Sequence, residues 1–186
     1  MNKGHVMRYE LFFLNNMHDS MEMVNAEMES FLDLCNQGYF DDLCVKHIIL
    51  NLANCLELLI KFKLENEHWT LVFADLNKAR YSNYLEGDFV SVDIKSGISR
   101  LKNVCEIEYP FIASTRNYQY RNRLMHYTLN GTFEQIIKNI VGAMNEVAEF
   151  VDIEIIRNLP KEAQKDFKNS IENYRNYAKA LNELKV

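Results

Sequence analysis

Three side chains suited to phosphate chemistry stand close together in this sequence: Arg121, Asn122 and His126. An imidazole titrates near neutral pH and can take or return a proton. A guanidinium can stabilise charge developing on phosphate oxygens, and a side-chain amide can orient the same group. On a helix, Asn122 and His126 are i,i+4 neighbours that point the same way. Arg121 lies about 100° round from Asn122, within reach of the same space for so long a side chain. The surroundings strengthen the signal. Residues 109–131 read YPFIASTRNYQYRNRLMHYTLNG, with Arg116, Arg121, Arg123 and His126 but no Asp or Glu, in a chain whose net charge is −5. Tyr118, Tyr120 and Tyr127 interleave with these bases. Cations alternating with aromatic rings suit a phosphodiester backbone carrying stackable bases, so Arg116, Tyr118, Arg123 and Tyr127 are candidate RNA contacts around a core of Arg121, Asn122 and His126.

Other chemistry finds little support. His5, His18, His47 and His68 have no partner at H-x-x-x-H or H-E-x-x-H spacing, so no zinc site is expected. No glycine-rich phosphate loop and no G-x-S-x-G nucleophile elbow occurs. The four cysteines, Cys35, Cys44, Cys55 and Cys105, form no C-x-x-C pair and read as buried thiols of a reducing cytoplasm. Glu57, Lys61 and Glu65 are spaced as i,i+4 ion pairs on an exposed helix strip. The acidic balance gives no global pull towards nucleic acid or anionic membranes, which leaves the local basic segment to carry any such role. The first apolar run, between Glu10 and Asn15, is four residues long. It is too short for a signal peptide or a membrane span, and no other stretch is expected to reach membrane length. A cytoplasmic location with no membrane partner is the expectation.

The elements that must position the basic segment are helices. Six glycines and two prolines in 186 residues leave too few breakers for a fold made of many tight turns. Leu14, Met17, Met21, Val24, Met28, Phe31 and Cys35 make one apolar seam over residues 7–36, ended by Gly38. From residue 42 to about 67 the pattern inverts. Nearly everything is apolar except a stripe at His47, Asn51, Asn54, Glu57, Lys61 and Glu65, which predicts a central helix buried on most of its circumference. Residues 68–90 suggest a short helix and a loop. Ile94, Ile98, Leu101 and Cys105 mark a short amphipathic helix mildly interrupted by Gly97, and Pro110 is expected in the first turn of the motif helix, which runs to about residue 127. Asn130-Gly131 is a turn, and Thr132-x-x-Gln135 a capping box that opens a helix carrying Phe133, Ile136, Ile137, Ile140, Met144, Val147, Ala148 and Val151. Beyond Pro160 a last helix carries Phe167, Ile171, Tyr174, Ala178 and Leu181. The expected fold is an all-α bundle of about five to seven helices with long antiparallel members. It forms a single domain over 1–186, with a core of about 7–152 and a C-terminal helical extension of about 160–186.

Arg121-Asn122-Arg123-Leu124-Met125-His126 resembles the R-x4–6-H signature of the HEPN superfamily (higher eukaryotes and prokaryotes nucleotide-binding domains), in which a polar residue usually follows the arginine. Residues 51–61, NLANCLELLIK, are similar to the central helix of that family with its E-L-x-x-K core. The order of two long helices, an insertion, a motif helix and another long helix also fits, over roughly residues 7–152. The resemblance implies a helical bundle that pairs about a two-fold axis and a metal-independent endoribonuclease of a toxin–antitoxin, abortive-infection or related phage-defence system. His126 would act as general base or acid, Arg121 would stabilise the pentacoordinate phosphate and Asn122 would orient it, leaving 2′,3′-cyclic phosphate ends with no cofactor. RNA, a second copy of the chain, and an antitoxin or nucleotidyltransferase are the implied partners. Some such toxins carry a modifiable tyrosine two residues past the histidine. Here Thr128 holds that place and Tyr127 comes one residue early, so silencing by tyrosine modification does not carry over. The alternative within the family is a non-catalytic module that binds a nucleotide, RNA or a partner protein. An unrelated interaction protein built on the methionine seam is the third reading.

Overall fold

A computed structural model describes residues 7–184. The described residues are all-α, about 80% helical, with seven α-helices and no strands. The helices are α1 (Met7–Asn36), α2 (Asp42–Glu67), α3 (Tyr81–Glu86), α4 (Ile94–Asn103), α5 (Ile112–His126), α6 (Phe133–Phe150) and α7 (Lys161–Glu183). The first seam becomes α1, whose Met17, Met21, Val24, Met28 and Phe31 are all buried. Gly38, at φ +80°, supplies the left-handed residue that lets the chain reverse. Asp41 then caps α2 by accepting from the Leu43 N–H at 2.8 Å. The α1–α2 hairpin is antiparallel, in a register fixed by polar pairs across it. Asn54 Nδ2 donates to Ser20 Oγ at 2.7 Å, and His47 Nδ1 meets Glu27 Oε1 at 3.0 Å.

Helix α2 is the hub. It packs against α1, α5, α4 and α6, and the sequence of neighbours α1–α2–α5–α6–α7 closes back on α1 to enclose one core. This explains the inverted pattern of α2: an amphipathic stripe suffices for a helix with one neighbour, but a helix touched on several sides must be apolar nearly all round. It is also long and apolar enough by composition to cross a membrane, contrary to the expectation that no stretch reaches that length. Packing inside the protein accounts for 61% of that window. Helix α7 buries Phe167, Ile171, Tyr174, Ala178 and Leu181 in the same core, chiefly against α6 and α1.

Several local expectations are corrected. Pro110 stands two residues before α5, where Phe111 is the N-cap residue. Gly97 does not interrupt α4: it is the contact point at which α4 sits against Ile60 of α2. Lys61 pairs with Glu57 at 2.6 Å, both half-buried and not on an exposed strip, and Glu65 accepts from the Tyr84 hydroxyl. Lys63, also on α2, is buried and held by Glu67 at 2.8 Å and Glu154 at 3.4 Å. Cys44 and Cys55 are buried, but Cys35 and Cys105 are only half-buried, and all four thiols are free. The insertion after α2 folds as two short 3-10 turns and α3. It is clasped by Arg100, whose Nη1 donates to the Leu71 carbonyl at 2.6 Å and whose Nη2 donates to that of Ala74 at 3.0 Å.

Candidate functional site

Helix α5 carries the basic segment, and what it buries is polar: its fully buried side chains are Ser114 and Asn117. A helix that offers so little apolar surface must be held by directional contacts. Asn117 Nδ2 donates to the Ile49 carbonyl of α2 at 3.1 Å. The N-terminus of α5 has no side-chain cap of its own and no acidic residue in its first turn. Glu146 of α6 supplies both, accepting from the Ala113 N–H at 2.9 Å and the Ser114 N–H at 2.8 Å. Gly142 of α6 permits this approach, because a Cβ there would lie 2.8 Å from the Ala113 Cβ. Just before α5, the Tyr109 hydroxyl donates to Glu149 Oε2 at 2.7 Å, with the Glu146 carbonyl 3.0 Å away as the alternative acceptor. Burial and the neighbouring Glu149 push its pKa upward, so it stays a donor.

One turn from the C-terminal end, Arg121 Nη1 donates to Asn122 Oδ1 at 2.9 Å, and its guanidinium lies 5.6 Å from the centroid of the Tyr118 ring. Arg121 and Asn122 thus meet through a direct hydrogen bond, while His126 does not join them. Arg121 and Asn122 are half-buried, and Tyr118 packs partly against the core beneath the guanidinium. His126 is the last residue of α5 and is exposed, with no hydrogen bond or ion pair among the described residues. It is not in contact with the Arg121–Asn122 pair. Five residues separate Arg121 from His126, which places them about 140° apart round the axis and about 7–8 Å apart along it.

The remaining sequence candidates lie elsewhere on the helix. Arg116 and Arg123 are exposed, and Tyr127, 88% exposed, leaves the helix as its C-cap residue. Arg116, Tyr120, Arg123 and Tyr127 follow spacings of four, three and four, so they form one outward stripe. Tyr127 also lines a groove between the start of α2 and the end of α5, together with Lys46, Ile49 and Leu124. Sequence reasoning missed Ser114, Asn117 and Glu146, which position the helix, and Lys138 and Asn139 of α6, which face Arg116 across a second groove. The signal for Asn117 was available, since it precedes Arg121 by one helical turn and extends the same polar line inward. Among the described residues, no three His, Cys, Asp or Glu side chains gather as a metal-binding group; His5 lies outside those residues. Searches with protein-family models, against curated proteins and against solved structures return no match, so the functional reading rests on this geometry and the motif itself.

Proposed function

We propose that this chain is an endoribonuclease of the HEPN type that cleaves RNA without a metal, at a site completed by two copies. The observation that carries the reading is the paired Arg121–Asn122 unit on α5, with an unengaged, exposed His126 five residues on, in a segment free of carboxylates. Arg121 bends towards Asn122, and His126 starts about 140° round the axis from Arg121, so one α5 gives no fixed Arg–His pair. Two α5 helices facing each other would supply one, the arginine of one meeting the histidine of the other across the same phosphodiester. The flanking surface favours such pairing: Met125 is 56% and Tyr127 88% exposed, so apolar area sits beside the histidine waiting to be covered.

In the reaction, His126 Nε2 or Nδ1 takes the proton of the 2′-hydroxyl as the 2′-oxygen attacks phosphorus. Arg121 stabilises charge on the non-bridging oxygens, with Asn122 fixing the guanidinium. The bond from phosphorus to the 5′-oxygen breaks, and that oxygen receives a proton from the partner subunit's His126. The products are a 2′,3′-cyclic phosphate and a 5′-hydroxyl.

The test is end-labelled RNA incubated with wild type, His126→Ala and Arg121→Ala in EDTA. Cleavage by wild type to cyclic-phosphate ends is expected, with a fall of at least about 100-fold in His126→Ala, the usual size of a lost acid–base contribution. Cleavage that requires added Mg²⁺, or that survives in His126→Ala, refutes the mechanism. Tight RNA binding without cleavage, weakened in Arg121→Ala, replaces it with the non-catalytic binding module.

A further inference from the structure

Arg121 leaves α5 from the side of the helix that faces inward. Measured round the axis from its Cα, the buried Ser114 stands at about +20° and the buried Asn117 at about −40°. A guanidinium that stayed on that line would lose its hydration, so the side chain must carry its charge round the helix towards water. It has two ways to turn. One way leads past Leu124, at about −60°, which packs partly against the core and accepts no hydrogen bond. The other leads past Tyr118, at about +60°, and Asn122, at about +100°. The side chain takes the second way: Nη1 donates to Asn122 Oδ1 at 2.9 Å, and Cζ lies 5.6 Å from the Tyr118 ring centroid. No acid between residues 109 and 131 draws it elsewhere. His126 comes next in the same direction, at about +140°.

We propose that Tyr118 is a positioning residue for Arg121. Its ring turns the guanidinium onto the face of α5 that carries His126, so that each copy presents both groups on the side a partner helix would meet. Tyr118 suits the task because it is half-buried and packs partly against the core, which makes the ring a fixed platform. A ring seated on the core and covered by a guanidinium leaves little face for a base. The tyrosine that the sequence offers as an RNA contact therefore acts through the arginine and touches no RNA itself. The kinetic consequence rests on the nuclease reading above; the placement of the guanidinium does not.

The test compares wild type, Tyr118→Phe and Tyr118→Leu by NMR of the arginine side chains and by cleavage of RNA in EDTA, with melting temperatures measured in parallel. The ring current should hold the Arg121 side-chain signals upfield in wild type and in Tyr118→Phe, and Tyr118→Leu should return them to their ordinary position. Tyr118→Phe should also cleave within about twofold of wild type, since the ring and not the hydroxyl holds the guanidinium. Tyr118→Leu should lose about fivefold in kcat with KM within about twofold, a split that a tyrosine contacting RNA does not produce. Fivefold is about 1 kcal/mol at 1.36 kcal/mol per factor of ten, the size of one cation–π contact. If Tyr118→Leu does not fold, Arg121→Ala takes its place: the Tyr118 ring signals should move while those of α2 stay. A raised KM with unchanged kcat in Tyr118→Leu overturns the proposal, as do Arg121 signals at their ordinary position in wild type. If wild type cleaves no RNA, the nuclease reading falls and the spectra decide alone. Arg121 signals that shift in Tyr118→Leu then uphold the placement, and unmoved signals overturn it.

Discussion

The sharpest test of how the motif helix is held is Glu146. Its carboxylate accepts from two successive backbone N–H groups at 2.9 and 2.8 Å, on a helix with no cap of its own. A hydrogen bond to a charged group contributes about 1.5–3 kcal/mol net, and an N-cap about 1 kcal/mol. The carboxylate is half-buried, so water replaces part of what is lost when it is removed. Glu146→Ala should therefore cost about 2–3 kcal/mol. For a chain of this size that lowers Tm by roughly 5–10 °C, at about 2–4 °C per kcal/mol. Glu146→Gln keeps one acceptor and loses the charge and the second bond, so its loss should be about half as large. Thermal melts give the totals, and hydrogen exchange locates them: the Ala113 and Ser114 amides should lose protection in Glu146→Ala while the α2 amides keep theirs. A Tm within 1 °C of wild type, or unchanged protection at those two amides, refutes the view that α6 anchors α5 through this carboxylate.

Two further predictions concern the α5–α6 contact and the buried Cys55 and Tyr174. Gly142→Ala brings a Cβ to 2.8 Å from the Ala113 Cβ, and should destabilise by about 1–2 kcal/mol despite the better helix propensity of alanine; Ala113→Gly in that background should restore part of the loss, read as a favourable coupling in a double-mutant cycle. Stability should fall in alkali, because burial pushes the Cys55 thiol up to about 12 from 9.0 and raises the Tyr174 phenol as well. The folded state prefers both protons, so their contribution is whole below pH 9 and is lost as pH rises through 12, at about 1.4 kcal/mol per pH unit for the thiol, with Tyr174 adding above 10; urea midpoints from pH 8 to 11 check it, and Cys55→Ala should flatten the first part of the decline.

The long helices were legible because they bury apolar side chains at helical spacing. Met17, Met21, Val24, Met28 and Phe31 announce α1, and Phe167, Ile171, Tyr174, Ala178 and Leu181 announce α7, since each seam faces the core in the way its period implies. Helix α2 was legible from the opposite sign, a narrow polar stripe in an apolar field. The orientation of α5 was not. Ser114 and Asn117 look like surface residues in the sequence and are buried, because what covers them lies on distant stretches of chain: the Asn117 amide donates to the Ile49 carbonyl, and the Ser114 N–H donates to Glu146. Lys63 and Arg100 carry no signal in the sequence for the same reason: each is a charge whose compensating groups arrive only with tertiary contact. At the site, the spacing of Arg121 and Asn122 fixed their encounter, whereas the groove opposite Arg116 depended on which face of α6 turns towards it.

The polar interior of α5 bears on the chemistry as well as on the fold. An apolar interface tolerates small rotations, since one methyl contact replaces another at little cost. A helix fixed by Glu146 at its start and Asn117 in its middle has no such freedom, because a turn of a few tens of degrees breaks hydrogen bonds that nothing else replaces. Arg121 stands one turn beyond Asn117 on that line, and its guanidinium is held in turn by Asn122 and the Tyr118 ring. The arginine is thus held locally, on a helix whose position is fixed from α2 and α6. His126, the last residue of the same helix, has no hydrogen bond or ion pair among the described residues. For a group that must stabilise charge in a fixed direction, rigidity is an advantage; for a group that must collect a proton from one oxygen and return it to another, freedom is. The contrast between a held arginine and an unpartnered histidine fits the two tasks that the proposed reaction would give them.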